Sequence, residues 1–398
     1  MKLLLFAHTP PPHHGQSYMV KLMLEGLGGD QRRPGAASDP PIACYHVNAR
    51  FSDGMDDIGT MRGGKGLRLL RYCAEAIWCR FRYGATTFYH VPAPGKRLAL
   101  YRDWVMLILC RPFFRHWVMH WHAVGLGEWL EKEGTRWERA VTRWLFSGIS
   151  LGISLTETNR PEVASFRPRQ IAIVPNGIPD LCPDFDARLL PRRQARARER
   201  VAWLGQTSGK GPLPYQLLYL GHCTREKGVF DLLDAVALVN ATPGGPIRAH
   251  LTIAGSFLSR AEEEELRERT ARADLRDAVT WIGFAGPAEK ARLLEACDCL
   301  CFPGYYLAES FGLVVVEAMA FGVTVLATRW RATPELFPQG YPGLVPIRSP
   351  EAIAASLPQL AALDLSVPLR RHFVEHFTLG VHLAALQAAL LSVEKPPR

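Results

Sequence analysis

Two glutamates eight positions apart, Glu309 and Glu317, lie where a strand-like run gives way to a helical one. The strand pattern ends near Phe302, and an apolar helical pattern begins near Gly312 and stops by Gly322. The first backbone N–H groups of a helix lack partners within it and carry the positive end of its dipole, so they can bind an anion. Glycine has no Cβ and lets a phosphate approach closely. The spacing therefore predicts a phosphate site flanked by two carboxylates.

The surroundings of Glu317 indicate that its carboxylate is buried. It lies between the apolar runs Val314–Val316 and Ala318–Ala320. A buried carboxylate is costly unless strong donors satisfy it, and the vicinal hydroxyls of a ribose or a hexose are suitable donors. The alternative is that Glu309 is an acid at a helix start and Glu317 faces solvent, but the apolar neighbours favour the first interpretation.

The elements that must position these residues are visible as apolar runs of strand length that alternate with helical patterns. In the first half the runs are Leu3–Ala7, Ala43–Val47, Thr87–His90, Trp117–Trp121, Ser150–Leu155 and Ile171–Val174. In the second half they are Gln216–Leu220, Ala249–Ala254, Val279–Ile282, Cys297–Phe302 and Val323–Ala327. This alternation predicts an α/β protein with two Rossmann-like, doubly wound domains, whose ligands bind in a cleft beyond the carboxyl ends of the strands.

The domain boundaries are predicted from length and composition. A chain of 398 residues is too long for one ordinary core, so two domains are expected. Five arginines at 192, 193, 196, 198 and 200 precede a stretch rich in Gly, Ser and Pro, which indicates a linker over 186–214. The domains are then 1–185 and 215–375, and a helical tail over 376–398 can pack back on the first domain.

At this point the sequence resembles a family. The run from Glu309 to Gly322 is similar to the Glu-x7-Glu signature of the retaining glycosyltransferases of family 4, which have the GT-B fold of two Rossmann-like domains. The resemblance implies that Glu309 contacts the hydroxyls of the donor sugar and Glu317 the ribose. It also implies that three residues, Phe311, Gly312 and Leu313, offer main-chain N–H groups to the sugar and the diphosphate.

The resemblance extends to the start of the second domain. The run Leu218–Val229 is similar to a strand-loop element of the family in which a lysine before a glycine binds the diphosphate, and that lysine is Lys227 here. The family often has arginine where this chain has His222, so the second cationic phosphate ligand is in doubt. Arg225 could substitute from the same loop, or it could be a solvated loop charge.

Two positions of the first domain also match the family. Residues 9–17 look like the N-terminal glycine loop that abuts the diphosphate, which points to Gly15. His122, at the end of another strand, resembles a family position beside the reacting sugar, although a histidine at a strand end is often structural. The resemblance makes 1–185 the acceptor-side domain and 215–375 the domain that binds the nucleotide sugar.

Metal and nucleophile chemistry have little support in the sequence. Cys297, Cys299 and Cys301 alternate along a strand without the spacing of a zinc site, so they are expected to be core residues. A Walker loop is missing. We therefore expect no cofactor and no metal, with Lys227 and helix amides in the place of Mg²⁺. The odd number of scattered cysteines, nine in all, favours reduced thiols in the cytoplasm.

The net charge of +9 favours polyanionic partners. In residues 65–83, basic residues are interleaved with large apolar ones, which is typical of a segment lying on an anionic membrane and equally of an amphipathic helix packed on the first sheet. The longest apolar run, Trp104–Cys110, is too short to span a bilayer. We expect a cytoplasmic protein, with peripheral contact at the inner face of the membrane left open.

The resemblance thus implies a retaining enzyme that transfers a hexose from a nucleoside-diphosphate sugar, UDP- or GDP-linked, to a glycan or lipid-linked hydroxyl acceptor. The pathway would be synthesis of cell-surface polysaccharide or glycolipid. Two alternatives remain: a nucleotide-sugar epimerase or hydrolase of the same fold, and a basic nucleic-acid-binding protein with a degenerate site. The second is disfavoured because the arginine run 192–200 lacks interleaved aromatic residues.

Overall fold

Strands and helices alternate through both halves of the chain in the computed structural model, which describes residues 1–11, 14–51, 65–205 and 211–394. The chain forms two units. The first comprises Met1–Gly177, Ala308–Phe311 and Leu379–Arg398, and the second comprises Ile178–Leu307 and Gly312–Thr378. Each unit is built on one parallel sheet of six strands.

The first sheet has the strand order β2-β1-β3-β4-β5-β6. Its strands are β1 Lys2–Phe6, β2 Ala43–Val47, β3 Thr87–His90, β4 His116–Trp121, β5 Leu151–Ser154 and β6 Gln170–Ile173. Its helices are α1 Gly15–Gly26, α2 Lys65–Tyr83, α3 Arg97–Cys110, α4 Leu126–Lys132, α5 Arg136–Phe146, α6 Arg160–Ser165 and α14 Leu379–Ser392. All strand pairs are parallel, so each connection must cross over the sheet.

Helices cover both faces of this sheet, which explains why β1 is apolar at successive positions rather than at alternate ones. Leu4 and Phe6 point into a core formed with α2, α3 and α5. Leu3 and Leu5 point to the opposite side, into a core that includes residues of α1 and α14. A continuous apolar run is therefore what a central strand between two helical layers requires.

The second sheet has the order β12-β11-β10-β7-β8-β9. Its strands are β7 Leu213–Leu220, β8 Ile247–Ala254, β9 Val279–Gly283, β10 Cys299–Phe302, β11 Thr324–Thr328 and β12 Leu344–Val345. Its helices are α7 Leu190–Leu204, α8 Val229–Ala241, α9 Arg260–Thr270, α10 Pro287–Ala296, α11 Leu313–Ala320, α12 Pro350–Ala361 and α13 Ser366–His376. Because β10 pairs directly with β7, the loops after these two strands are neighbours.

The division of the chain differs from the predicted boundaries. The N-terminal segment of the first unit ends at Gly177 rather than at 185, and residues of the predicted linker 186–214 lie in the second unit, where α7 occupies 190–204. The arginines of α7 explain the difference: Arg193 is buried and donates to the carbonyl oxygens of Leu294 and Cys297. Arg196 and Arg200 both pair with the buried Asp298. A run that looks like a solvated linker thus binds α10 and the two residues between α10 and β10.

The apolar helices near the C-terminus, α12, α13 and α14, are 12, 11 and 14 residues long. Within the described residues, no single helix combines the length and composition needed to cross a bilayer. Helices α12 and α13 meet these criteria only when taken together, and they are bent by 103° relative to each other.

Candidate functional site

Helix α11 begins directly after a glycine in a left-handed conformation. Gly312 has φ 80° and ψ 68° and precedes Leu313, the first helical residue. A Cβ at this position would lie 3.1 Å from Cζ of Phe302, so a larger residue would be both strained and crowded. A glycine also has no side chain with which to cap the helix, so no side chain of residue 312 competes with an anion for the start of α11, where the amide of Val315 donates to the carbonyl of Gly312 at 3.0 Å.

Glu317 is buried within α11, as its apolar neighbours predicted. Only 7% of the residue is exposed, and its Oε1 accepts a hydrogen bond from Nζ of Lys290 at 2.5 Å. Among the described residues, no donor reaches the second oxygen, Oε2. Burial raises the pKa of Glu317 above its ordinary value, and the Lys290 charge opposes this rise. One oxygen is therefore fixed by a cation while the other can still accept a hydrogen bond.

Lys227 lies in the loop after β7, at the end of a short 3-10 turn that Thr224 caps. The next residue, Gly228, has φ 77°, and a Cβ on it would lie 2.3 Å from the carbonyl oxygen of Pro303. The amide of Tyr305 donates to the carbonyl of Glu226 at 2.7 Å. These contacts hold the Lys227 loop against the segment that leads into the Glu-x7-Glu region.

The side chain of Lys227 extends over an aromatic ring of that segment. Its Nζ lies 4.9 Å from the ring centroid of Tyr306. His222, in the same loop, has a pKa lowered by burial and by the nearby Lys227 charge. A neutral His222 beside Lys227 supplies a hydrogen-bonding group but no second cation.

Arg225 has partners on the other side of this loop. Its guanidinium binds Glu265 at 2.5 Å and lies 4.6 Å from the ring centroid of Phe230. These contacts give it a structural function in joining the loop to α8 and α9. Its use as a phosphate ligand would require the guanidinium to leave Glu265.

His122 lies just beyond the end of β4 in the first unit. The centroid of its ring lies 4.1 Å from that of His120. Nδ1 of His120 forms a hydrogen bond of 2.7 Å with the hydroxyl of Tyr89. Burial, together with the nearby His382 and His14, lowers the pKa of His122 to about 3. The ring keeps some solvent access but is neutral near pH 7, so it suits a hydrogen bond to a ligand better than a charge contact.

The other predicted residues of the first unit lie at a helix start and in a short segment. Gly15 is the first residue of α1, whose N-cap is the side chain of His14. Glu309 is half-buried and Phe311 buried, both in the segment Ala308–Phe311. Within this unit the segment is anchored through Ser310, whose hydroxyl donates to the carbonyl of His122 at 2.5 Å.

Comparison with known proteins gives a match to this region. Residues 206–376 match the family described as "Glycosyl transferases group 1". The match covers β7 to α13, and it contains the Lys227 loop, Gly312 and Glu317. We refer to it as the group 1 domain.

Curated relatives align with part of the chain. It is 38% identical over 121 residues to a D-inositol 3-phosphate glycosyltransferase of Pseudarthrobacter chlorophenolicus, covering 30% of this chain and 28% of that protein. It is 37% identical over 127 residues to a phosphatidyl-myo-inositol mannosyltransferase of Mycolicibacterium smegmatis, covering 32% and 31%. The aligned region spans less than a third of the length of either relative.

Solved structures resemble the whole chain. The Anabaena protein HepE in complex with UDP superposes with a TM-score of 0.66 at 17% identity, covering 98% of this chain and 100% of its own. Sucrose-phosphate synthase from Thermosynechococcus elongatus gives 0.66 at 19% identity, covering 98% of both chains. Identities this low show the fold, and the predicted GT-B class of two Rossmann-like units is confirmed.

Within the group 1 domain, the structure brings Lys227 and His222 into one loop and packs that loop against the segment before α11. It turns Arg225 toward α9. Sequence reasoning missed Lys290, which precedes Glu317 by 27 residues on a mixed polar helix. No local signal marks this lysine, because its importance comes only from packing against α11.

All nine cysteines are buried thiols. Among the described residues, no group of three or more His, Cys, Asp or Glu side chains is arranged to hold a metal ion.

Proposed function

We propose that this chain is a retaining glycosyltransferase that moves a hexose from a nucleoside-diphosphate sugar to a hydroxyl acceptor without a metal ion. The observation that carries the proposal is the pairing, on one short helix, of the Gly312 terminus with the buried Glu317 whose Oε2 has no donor among the described residues. An anion site and a buried acceptor less than two helical turns apart match a nucleotide, in which phosphate and ribose hydroxyls are covalently joined.

The diphosphate is proposed to bind the amides at the start of α11 and the ammonium of Lys227. Charge-assisted hydrogen bonds of this kind contribute about 1.5–3 kcal/mol each. They would offset the charge that develops on the leaving diphosphate, which is the task a metal ion performs in other enzymes. The Gly228–Pro303 contact supports this function because it fixes the loop that carries Lys227.

The ribose is proposed to donate a hydroxyl to Oε2 of Glu317. Lys290 holds Oε1 and keeps the carboxylate charged and oriented. For the sugar we propose Glu309 as the hydrogen-bond acceptor, with His122 as a neutral partner and Gly15 at the diphosphate. HepE binds UDP in its solved complex, and this supports a uridine nucleotide as the first donor to test.

Retention is proposed to proceed by front-face attack. The bond between the anomeric carbon and the phosphate oxygen breaks while the acceptor oxygen bonds to the same face of that carbon. The proton of the acceptor hydroxyl passes to the departing phosphate oxygen, so no carboxylate nucleophile is required. The proposed acceptor is a glycan or a lipid-linked hydroxyl, in line with the names of the inositol and phosphatidylinositol glycosyltransferases among the relatives.

A thermal-shift panel of UDP, GDP, ADP, CMP and their sugar conjugates tests the binding part of this proposal. A ligand at about 100 times its Kd, bound only by the native state, adds about 2.7 kcal/mol of stability. We expect one base family to stabilise the wild type and to lose most of that effect in Glu317→Gln. Glu289→Gln is the matched control, since Glu289 lies on the neighbouring α10 and is 45% exposed in its pair with Arg292.

Turnover tests the catalytic part. With the stabilising sugar nucleotide and a lipid or glycan acceptor, Glu309→Gln and Lys227→Ala should each lower turnover by more than tenfold, and the product should keep the anomeric configuration of the donor. Wild-type turnover in both variants would contradict the assigned functions. Donor consumption without an acceptor would instead support the epimerase or hydrolase alternative.

A further inference from the structure

Helix α2 is apolar on two opposite faces. One face is buried in the core of the first unit through four residues: Leu69, Cys73, Ala76 and Cys79. The other face exposes four large side chains: Leu67, Leu70, Trp78 and Phe81, at 75%, 51%, 52% and 70%. Their spacing of three, eight and three residues places them in one stripe of the helix. A helix that only covers the sheet would carry polar residues there.

The exposed stripe continues onto the 3-10 turn Arg111–Phe113, which follows α3. The rings of Phe81 and Phe113 are 5.9 Å apart, and Phe113 is 37% exposed. We call Leu67, Leu70, Trp78, Phe81 and Phe113 the α2 face. Helix α3 packs against both α2 and α5.

Helix α5 adds two further exposed aromatic residues. Trp137 is 55% exposed and Trp144 is 68% exposed. An exposed apolar stripe such as the α2 face marks an interaction site.

Positive charge accompanies the apolar stripe. Helix α2 contains one lysine and four arginines, at positions 65, 68, 71, 80 and 82, against a single acid, Glu75. Glu75 binds Arg32, from outside the helix, at 2.7 Å, so its charge is already compensated. Arg71 and Arg82 each follow a stripe residue by four positions and therefore flank the stripe.

This combination fits an anionic bilayer better than a second copy of the chain. A two-fold contact through the α2 face would bring the arginines of both copies together, and like charges in an interface are unfavourable. On an anionic membrane, the aromatic and leucine side chains enter the interface while the arginines meet lipid phosphates.

We propose that the α2 face docks the first unit on the surface of an anionic phospholipid bilayer. Docking is an interaction of α2 and Phe113 alone and does not depend on the transfer reaction. It would bring the protein to the surface at which a lipid-linked acceptor is found.

Vesicle co-sedimentation of the full chain tests the proposal. The protein should bind vesicles of phosphatidylcholine mixed with phosphatidylglycerol and bind vesicles of phosphatidylcholine alone at least tenfold more weakly. A basic residue near such a surface changes partitioning by about fivefold, so Arg71→Gln with Arg82→Gln should lower it by about 25-fold. Trp78→Ser with Phe81→Ser should lower it by tenfold or more.

Matched controls lie in the second unit. Arg260→Gln with Arg272→Gln removes the same charge from exposed positions outside the α2 face, and Phe284→Ser removes a phenylalanine that is 78% exposed. These variants should bind vesicles as the wild type does. The thermal shift with nucleotide should be unchanged in every variant, which shows that each is folded and separates this test from that of the transfer reaction.

Three results would overturn the proposal. One is a wild type that does not bind the anionic vesicles. Another is an equal loss in the control and α2-face variants, because net charge alone would then explain binding. The third is a dimer in sedimentation velocity that the α2-face variants convert to a monomer, which would make the face a protein interface.

Discussion

Removal of Lys290 should expose the energetic cost of burying Glu317. In Lys290→Met the helix keeps a side chain of similar length, but Oε1 of Glu317 loses the ammonium that now binds it at 2.5 Å. Breaking a buried ion pair by removing one partner costs about 3–5 kcal/mol. The side chain of Glu317 is 9% exposed and that of Lys290 is 29% exposed, so the pair is only partly shielded from water. We therefore expect a loss of about 2–3 kcal/mol in the free energy of unfolding at about pH 8.

The loss should depend on pH with a definite sign. Burial raises the pKa of Glu317 in the folded state, and removal of Lys290 raises it further. A carboxyl with a raised folded pKa contributes stability below its unfolded pKa and loses it as pH rises through the folded pKa. The destabilisation in Lys290→Met should consequently be smaller at about pH 5, where Glu317 can take up a proton, than at about pH 8.

Urea unfolding of four proteins measures this coupling. The set is the wild type, Lys290→Met, Glu317→Gln and the double variant, each at about pH 5 and about pH 8. The double variant should recover much of the loss seen in Lys290→Met at the higher pH, because no buried charge remains. A loss that is independent of pH, or a double variant as unstable as the sum of the two single variants, would refute this reasoning.

Three further predictions follow from the structure. In urea unfolding, Gly228→Ala should lower the free energy of unfolding by about 2–5 kcal/mol. Gly283→Ala is the control, because Gly283 has φ 73° but a Cβ added there meets no atom within 4 Å, and it should lower the free energy of unfolding by about 1–2 kcal/mol. Because its surroundings lower the pKa of the His122 imidazole to about 3, nitrogen NMR should show the ring neutral down to about pH 4. The lowered pKa also means that the contribution of His122 to the free energy of unfolding falls as pH drops below 6.5. Arg193→Ala should lower the free energy of unfolding by more than about 2 kcal/mol in thermal or urea unfolding. Arg198 is exposed, so Arg198→Ala should lower it by less than about 0.5 kcal/mol.

The architecture of this protein was accessible from sequence because its signals are local. Apolar runs of four to six residues between helical patterns predicted eleven of the strands, and the structure has strands at each of those places. The strand missed, Leu344–Val345, has only two residues and pairs at the edge of the second sheet. A run that short is below the length at which periodicity can be recognised.

The candidate site was predictable to the same extent. Gly312 and Glu317 belong to one strand-loop-helix element, so their spacing along the chain already determines their spacing on α11. Their assigned functions remain proposals. The side of the loop to which Arg225 turns was not predictable, because it depends on Glu265, forty residues further along the chain.

The sequence by itself determined the alternation of strands and helices, the presence of two Rossmann-like units and the Glu-x7-Glu element, since these depend on residues close together in the chain. Only the tertiary structure decided that Lys290 pairs with Glu317, that the arginines of α7 bind Asp298 and backbone carbonyls, and that one apolar stripe of α2 stays exposed while the other is buried. Each of these joins segments distant in sequence or depends on which surface a neighbour covers. Packing, rather than local pattern, sets such contacts.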